Sequence, residues 1–113
     1  MDETLFTEFF GNTPLIRVLN YLLENRLFDC SKTDIARGAG VSRAALYAVW
    51  PGLEKRGIVR VTRSFGRTRL YALNDKSNIV RKLREIEYAL IKRSVEELEK
   101  KQTRSVSVMA RKA

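Results

Sequence analysis

Residues 31–57 read SKTDIARGAGVSRAALYAVWPGLEKRG, and the folding of this stretch decides the rest of the chain. Ser31 opens an S-x-x-D pattern in which its hydroxyl can cap the backbone N–H near Asp34, and the Asp34 carboxylate suits the positive first turn of a helix. The spacing predicts a helix from Lys32, with Ile35 and Ala36 turned inward. Gly38-Ala39-Gly40 ends it, because glycine takes the left-handed conformation of a helix terminus without a Cβ penalty. Val41 follows as an apolar plug and Ser42 as a second N-cap, so another helix is expected from Arg43. On that helix Leu46, Val49 and Leu53 recur at helical spacing and face inward. Arg43, Ala44, Tyr47 and Ala48 are left on the outward, N-terminal face. Pro51 lacks a backbone N–H and its ring crowds the preceding turn, at about 3 kcal/mol in a helix interior. The helix is therefore expected to kink near Trp50, or to end there and give way to a second short helix. Trp50 itself reads as an anchor between helices.

Two short helices about a glycine turn, the second with small and polar outward residues, have the logic of a helix-turn-helix. Ala36, Gly40, Val41, Ser42 and Leu46 together resemble that pattern. With Leu53-Glu54-x-x-Gly57-Ile58-Val59 and a following hairpin, the run from about Thr13 to Asn74 resembles a winged-helix domain of the MarR/ArsR-like kind. The wording GVSRAALYAVWPGLEKRGIV is similar to small archaeal winged-helix regulators. The resemblance implies a mainly α fold with a small β-hairpin (α+β), a winged helix-turn-helix with a long C-terminal helix. It also implies binding of double-stranded DNA, regulation of transcription and an archaeal source.

Working outward, Thr13-Pro14 reads as N-cap and first helical position. It opens a helix whose Leu15, Ile16, Val18, Leu19, Leu22 and Leu23 form a wide apolar face, ending near Asn25. Before it, residues 1–12 form an arm carrying Leu5, Phe6, Phe9 and Phe10, an apolar stripe for a short helix that docks on the core or on a second subunit. Leu27-Phe28 is an apolar connection, and the resemblance suggests a small extra strand there pairing with the hairpin. After Gly57, Ile58 to Arg63 alternates and is β-branched, and Arg69-Leu70-Tyr71-Ala72-Leu73 is the return strand about a turn at Gly66. Arg63, Arg67 and Arg69 crowd the tip of this wing, within reach of a phosphate or a minor groove.

Asn74 or Asp75 is expected to cap a last helix running from Lys76 to about Lys101. Ile79, Leu83, Ile86, Leu90, Ile91, Val95 and Leu98 form a near-heptad stripe on it, flanked by acids and bases. A helix of roughly 39 Å is longer than so small a domain can cover, which points to pairing with a second copy. Folding back onto the first core helix and the arm is the alternative. The domain division is thus 1–12 arm, 13–74 winged helix, 75–101 dimerisation helix and 102–113 basic disordered tail.

Composition supports the same partner. The net charge of +9 is unevenly spread: residues 1–30 hold two basic and five acidic side chains, 31–74 nine and two, and 75–113 eleven and six. Basic residues gather around the motif, where each one set on a phosphate releases condensed counterion. No apolar run approaches the roughly 20 residues of a membrane span. The acidic start MDETLFTEFF is unlike a secretory signal, so a cytoplasmic, nucleoid-associated protein with no membrane partner is expected. Cys30 has no second cysteine to pair with, and the chain has no histidine, so neither a disulfide nor a zinc site is expected. The usual general base, a phosphate-binding glycine loop and G-x-S-x-G are all missing, and neither an enzyme nor a cofactor is expected.

The residues assigned to DNA are Lys32, Thr33, Ser42, Arg43, Ala44, Tyr47, Arg63, Arg67 and Arg69. Arg43 is expected on a base edge or adjacent phosphate, Tyr47 on the backbone or a thymine methyl, and Ser42 and Thr33 on phosphates beside the helix N-termini. Two alternatives fit the same residues: an architectural or segregation protein that coats DNA without reading it, and a winged helix that docks a protein partner.

Overall fold

The computed structural model describes the backbone of residues 3–112 and the side chains through Arg104. The elements are α1 (Leu5–Phe10), α2 (Pro14–Glu24), α3 (Lys32–Ala39), α4 (Arg43–Lys55), β1 (Val59–Phe65), β2 (Thr68–Leu73) and α5 (Asn78–Lys112). Each of the first four helices starts at a side-chain cap: Thr4, Thr13, Ser31 and Ser42 accept from the backbone N–H three residues on. The pairs Thr4/Thr7 and Ser31/Asp34 are full reciprocal boxes.

The core gathers at the crossing of α2, α3 and α4. Val18, Leu22 and Leu23 meet Ile35, Ala36 and Ala39, then Leu46, Trp50 and Leu53, with Ile58, Tyr71 and Leu73 closing it from the hairpin and Val80 from α5. Gly40 has φ 67°, and the Val41 N–H donates to the Ala36 carbonyl at 3.0 Å, which closes the helix end as the glycine signal predicts. Arg17 of α2 reaches across and donates from Nη1 to the Gly40 carbonyl at 3.0 Å, so the turn is also held from outside the motif. Gly38 has a different duty. It lies inside α3, where a Cβ would overlap the ring of Tyr21, and this lets α2 and α3 approach closely. Burial and the Cys30 thiol, 3.8 Å from its hydroxyl, push the Tyr21 phenol up to about 12.

Four expectations are corrected. First, α4 does not end at Trp50; it runs through Pro51 to Lys55, and the Tyr47 carbonyl forgoes its N–H partner. Burial of Trp50 and Leu53 on either side of Pro51 offsets that cost. Second, Asn74 does not cap α5. It accepts from the Lys76 N–H and donates to the Gly57 carbonyl, closing the base of the hairpin, while Ser77 accepts from the Val80 N–H and opens the helix at Asn78.

Third, Leu27 and Phe28 are exposed, and the extra pairing falls on Cys30, whose N–H and carbonyl both bond Tyr71 at 2.8 Å. Fourth, the helix does not stop at Lys101. Backbone hydrogen bonding carries α5 to Lys112, because elongating an existing helix orders one residue per added bond and Gln102, Arg104, Met109 and Ala110 are good helix formers. Only Ala113 of the expected disordered tail lies outside the described residues. At about 1.5 Å per residue α5 is some 50 Å long, and it sets the 69 Å long axis of the molecule.

Candidate nucleic-acid interface

The two-helix motif presents one exposed face. Arg43, Ala44, Tyr47 and Ala48 all lie outward on α4, with Leu46 and Trp50 buried beneath them. Ser42 accepts from the Ala45 N–H at 3.0 Å as an N-cap, which starts this helix and leaves its exposed O–H free to donate. Thr33 is exposed at the first turn of α3. Arg43 folds over its i+4 neighbour: its guanidinium carbon lies 5.3 Å from the Tyr47 ring centroid, and Nη2 donates to the Tyr47 hydroxyl at 3.4 Å. Lys32 is half-buried rather than outward. Its ammonium stands 5.1 Å from the ring centroid of Tyr47 and 5.5 Å from those of Trp50 and Tyr71.

The wing divides its arginines. Val61 pairs with Tyr71 and Arg63 with Leu70, which leaves Thr62 as an extra residue in a β-bulge. Strict alternation from Val59 and Val61 would turn Arg63 to the core side. The bulge instead puts it on the face shared by Arg60 and Leu70. There Arg63 makes a two-pronged bond to Asp29, Nε to Oδ2 at 2.8 Å and Nη2 to Oδ1 at 3.0 Å, and the Thr62 hydroxyl donates to the same carboxylate at 2.7 Å. The Arg63 and Thr62 hydrogen bonds hold the Asp29 carboxyl down at about 2, and the carboxylate raises Arg63 in turn. Two of the five guanidinium N–H donors of Arg63 are thus engaged on Asp29, while its side chain stays 58% exposed, so Arg63 is held in place on the wing. Arg67 and Arg69 are exposed and make no ion pair among the described residues. Asp29 was missed in the sequence because nothing local pairs it with a residue 34 positions on.

The stripe on α5 also divides. Leu83 packs against the domain's own core and Leu90 is half-buried, while Ile79, Ile86, Ile91, Val95 and Leu98 are exposed. Leu83 thus serves the domain's own core, and the exposed part of the stripe is what remains for a partner. In the arm, Phe6 is buried and Leu5, Phe9 and Phe10 are exposed, so α1 docks on the core by one ring and shows the rest. Leu5 and Ile91 line one cleft of about 330 Å³ between α1 and α5, together with Phe6, Leu23 and the polar Asn20, Glu24, Arg26 and Glu87, so the arm and the start of the distal stripe lie side by side.

No protein-family model matches the chain and no curated protein matches it. Solved structures do. ZitR of Lactococcus lactis, a zinc-responsive MarR family member, superposes with a TM-score of 0.55 at 20% identity over 75% of this chain and 60% of that one. MepR of Staphylococcus aureus, a transcription regulator of the multidrug efflux pump MepA, gives 0.59 at 15% identity over 95% and 84%. The adhesin competence repressor AdcR of Streptococcus pyogenes gives 0.56 at 13% over 78% and 65%. This chain spans about 60% of the length of the ZitR structure. At these identities the likeness is one of fold: helices, antiparallel hairpin and long C-terminal helix are arranged as in MarR-family winged-helix structures.

Proposed function

We propose that this chain binds double-stranded DNA as a homodimeric transcriptional regulator, with residues 43–50 of α4 in the major groove and the wing at 63–69 against backbone or minor groove. The observation that carries the reading is the outward face of α4, where Arg43 and Tyr47 stand beside Ala44 and Ala48, small enough for a groove wall to approach. Arg67 and Arg69 extend the same basic character to the wing tip. The concentration of base in residues 31–74 supports it. So does the fold likeness to ZitR, one structure of which was solved in complex with DNA. The zinc response named for ZitR is a property of that protein; this chain has one cysteine and no histidine.

Pairing is supported by Leu5, Phe9, Phe10, Ile91, Val95 and Leu98, an exposed apolar surface on α1 and α5 of a kind that solvated monomers seldom carry. A second reading, a protein that coats DNA without choosing a sequence, is favoured by the run of Lys100, Lys101 and Arg104 on the far part of α5. Selection from a random duplex library about 40 base pairs long separates the two. An inverted repeat with half-site centres about 10–10.5 base pairs apart is expected for the regulator. Retention without a motif would leave the coating protein, and no retention would refute DNA binding.

A further inference from the structure

We infer that Lys32 is a positioning residue for Tyr47 and makes no phosphate contact of its own; the inference rests on the DNA-binding reading above. A lysine at the first position of α3 faces the positive end of the helix dipole, an unfavourable site for a cation. The acid in that turn, Asp34, is used on the Ser31 N–H. Among the described residues Lys32 has no ion pair to compensate. Three aromatic faces stand in place of one, all within the roughly 6 Å at which a ring attracts a cation.

The three rings are not alike. Trp50 and Tyr71 are 1% and 5% exposed and lock each other edge to face, centroids 4.9 Å apart at 77°. They are fixed walls. Tyr47 is 44% exposed and belongs to the outward face. Beside it lies a gap of about 130 Å³ lined by Lys32, Thr33, Ala36, Arg43 and Leu46, so packing alone leaves the ring room to swing. The ammonium fastens this one movable ring to two immovable ones. Tyr47 in turn holds Arg43 through its hydroxyl and ring face, so the orientation of both reading side chains traces back to Lys32. Moving the ammonium out to a phosphate would give up all three ring contacts.

The two roles differ in what salt does. A phosphate contact adds about 0.9 to the slope of log affinity against log salt on any duplex, whereas a positioning residue adds nothing to the slope and acts on discrimination. Affinities of wild type, Lys32→Gln and Lys32→Arg are measured over a salt series on the selected duplex and on a scrambled one. Lys32→Gln is expected to keep the slope and to lower the preference for the selected duplex about threefold to thirtyfold, with Lys32→Arg restoring it. In a Tyr47→Leu background the Lys32→Gln change is expected to have no further effect on preference.

Trp50 is the single tryptophan, so its emission in the DNA-free protein reads the cage directly. It is expected to shift in Lys32→Gln and hold in Lys32→Arg. A slope lower by about 0.9 on both duplexes with preference intact, or an emission indifferent to Lys32, overturns the inference. A wild type that binds no duplex sinks the DNA reading and this inference with it, a result told apart from the others by the wild-type titration alone.

Discussion

Replacing Asp29 with Asn is expected to make DNA binding more dependent on salt. In the folded chain Arg63 is neutralised in place: both oxygens of Asp29 accept from its guanidinium, and at a pKa of about 2 that carboxyl is fully ionised at neutral pH. Asparagine keeps the shape and an oxygen for the Thr62 hydroxyl, but it turns an amide N–H₂ toward a group that offers only donors. The pair opens, the net charge rises by one, and Arg63 is freed on a hairpin whose tip already carries Arg67 and Arg69. If the freed guanidinium takes one phosphate, the slope of log affinity against log salt steepens by about 0.9. Over a fourfold rise in salt, from about 50 to about 200 mM, the variant then loses about 3.5 times more affinity than the wild type loses. Anisotropy titrations of a labelled duplex at several salt concentrations measure this. Arg63→Gln alone should leave the wild-type slope as it is, and the double variant should return to it. An Asp29→Asn slope equal to wild type, with Arg63→Gln flattening the wild-type slope, would refute the reasoning, since Arg63 would then already serve DNA from within its pair.

The same carboxylate sets a pH dependence. Its folded pKa lies below its ordinary 3.8, so its contribution to stability is present above that range and is lost as pH falls toward about 2. Asp29→Asn should show a lower urea midpoint than wild type at neutral pH, and the difference should close near pH 2. Gly38→Ala, a change that stabilises most helix interiors by about 0.5–1 kcal/mol, is expected to destabilise this one by about 1–3 kcal/mol because the Cβ meets the Tyr21 ring. A raised melting temperature would show that Tyr21 yields freely. Ile91→Lys combined with Leu98→Lys should convert dimer to monomer by light scattering without lowering the monomer's stability, both residues being exposed. An unchanged mass would move the contact to Ile79 and Ile86.

The local parts of the fold were legible because local signals carry them. The caps Thr13, Ser31 and Ser42 each use a hydroxyl and a backbone N–H three residues away, and Gly40 takes the αL conformation without a Cβ penalty, whereas the Thr4 cap, in an arm read only for its apolar stripe, was not foreseen. The outward set on α4 followed from helical period alone. What escaped was non-local or depended on the pleat. The bulge at Thr62 moves one residue's place in the alternation and thereby exchanges the face Arg63 lies on, which no period-two reading can anticipate. Gly38 looked like part of a helix stop because its reason, the ring of Tyr21, comes from another helix. Lys32 looked like one more basic residue beside the motif. Its three rings come from α4 and β2 and meet only when the core is assembled.

The long helix shows how a correct pattern can hide two. Read as a heptad, Ile79, Leu83, Ile86 and Leu90 run on into Ile91, Val95 and Leu98 as one seam. At 3.6 residues per turn, however, Ile79 and Ile86 lie roughly a third of a turn from Ile91 and Leu98 around the helix. Val80 and Leu83 face the domain's own core, with Glu87 following on the same side, where burial pushes its carboxyl up. Past Leu90 the domain gives out. Side chains on the continuation of that inward line, Ile91 and Leu98 among them, are left uncovered for want of anything to pack on. The distal apolar residues are thus the core-facing stripe of a helix that outruns its core, and Leu5 of the arm stands beside Ile91 at the point where it does so. A second copy meeting the first along this line would continue each domain's core into the other, whereas Ile79 and Ile86 sit on a flank that such a meeting would leave in water.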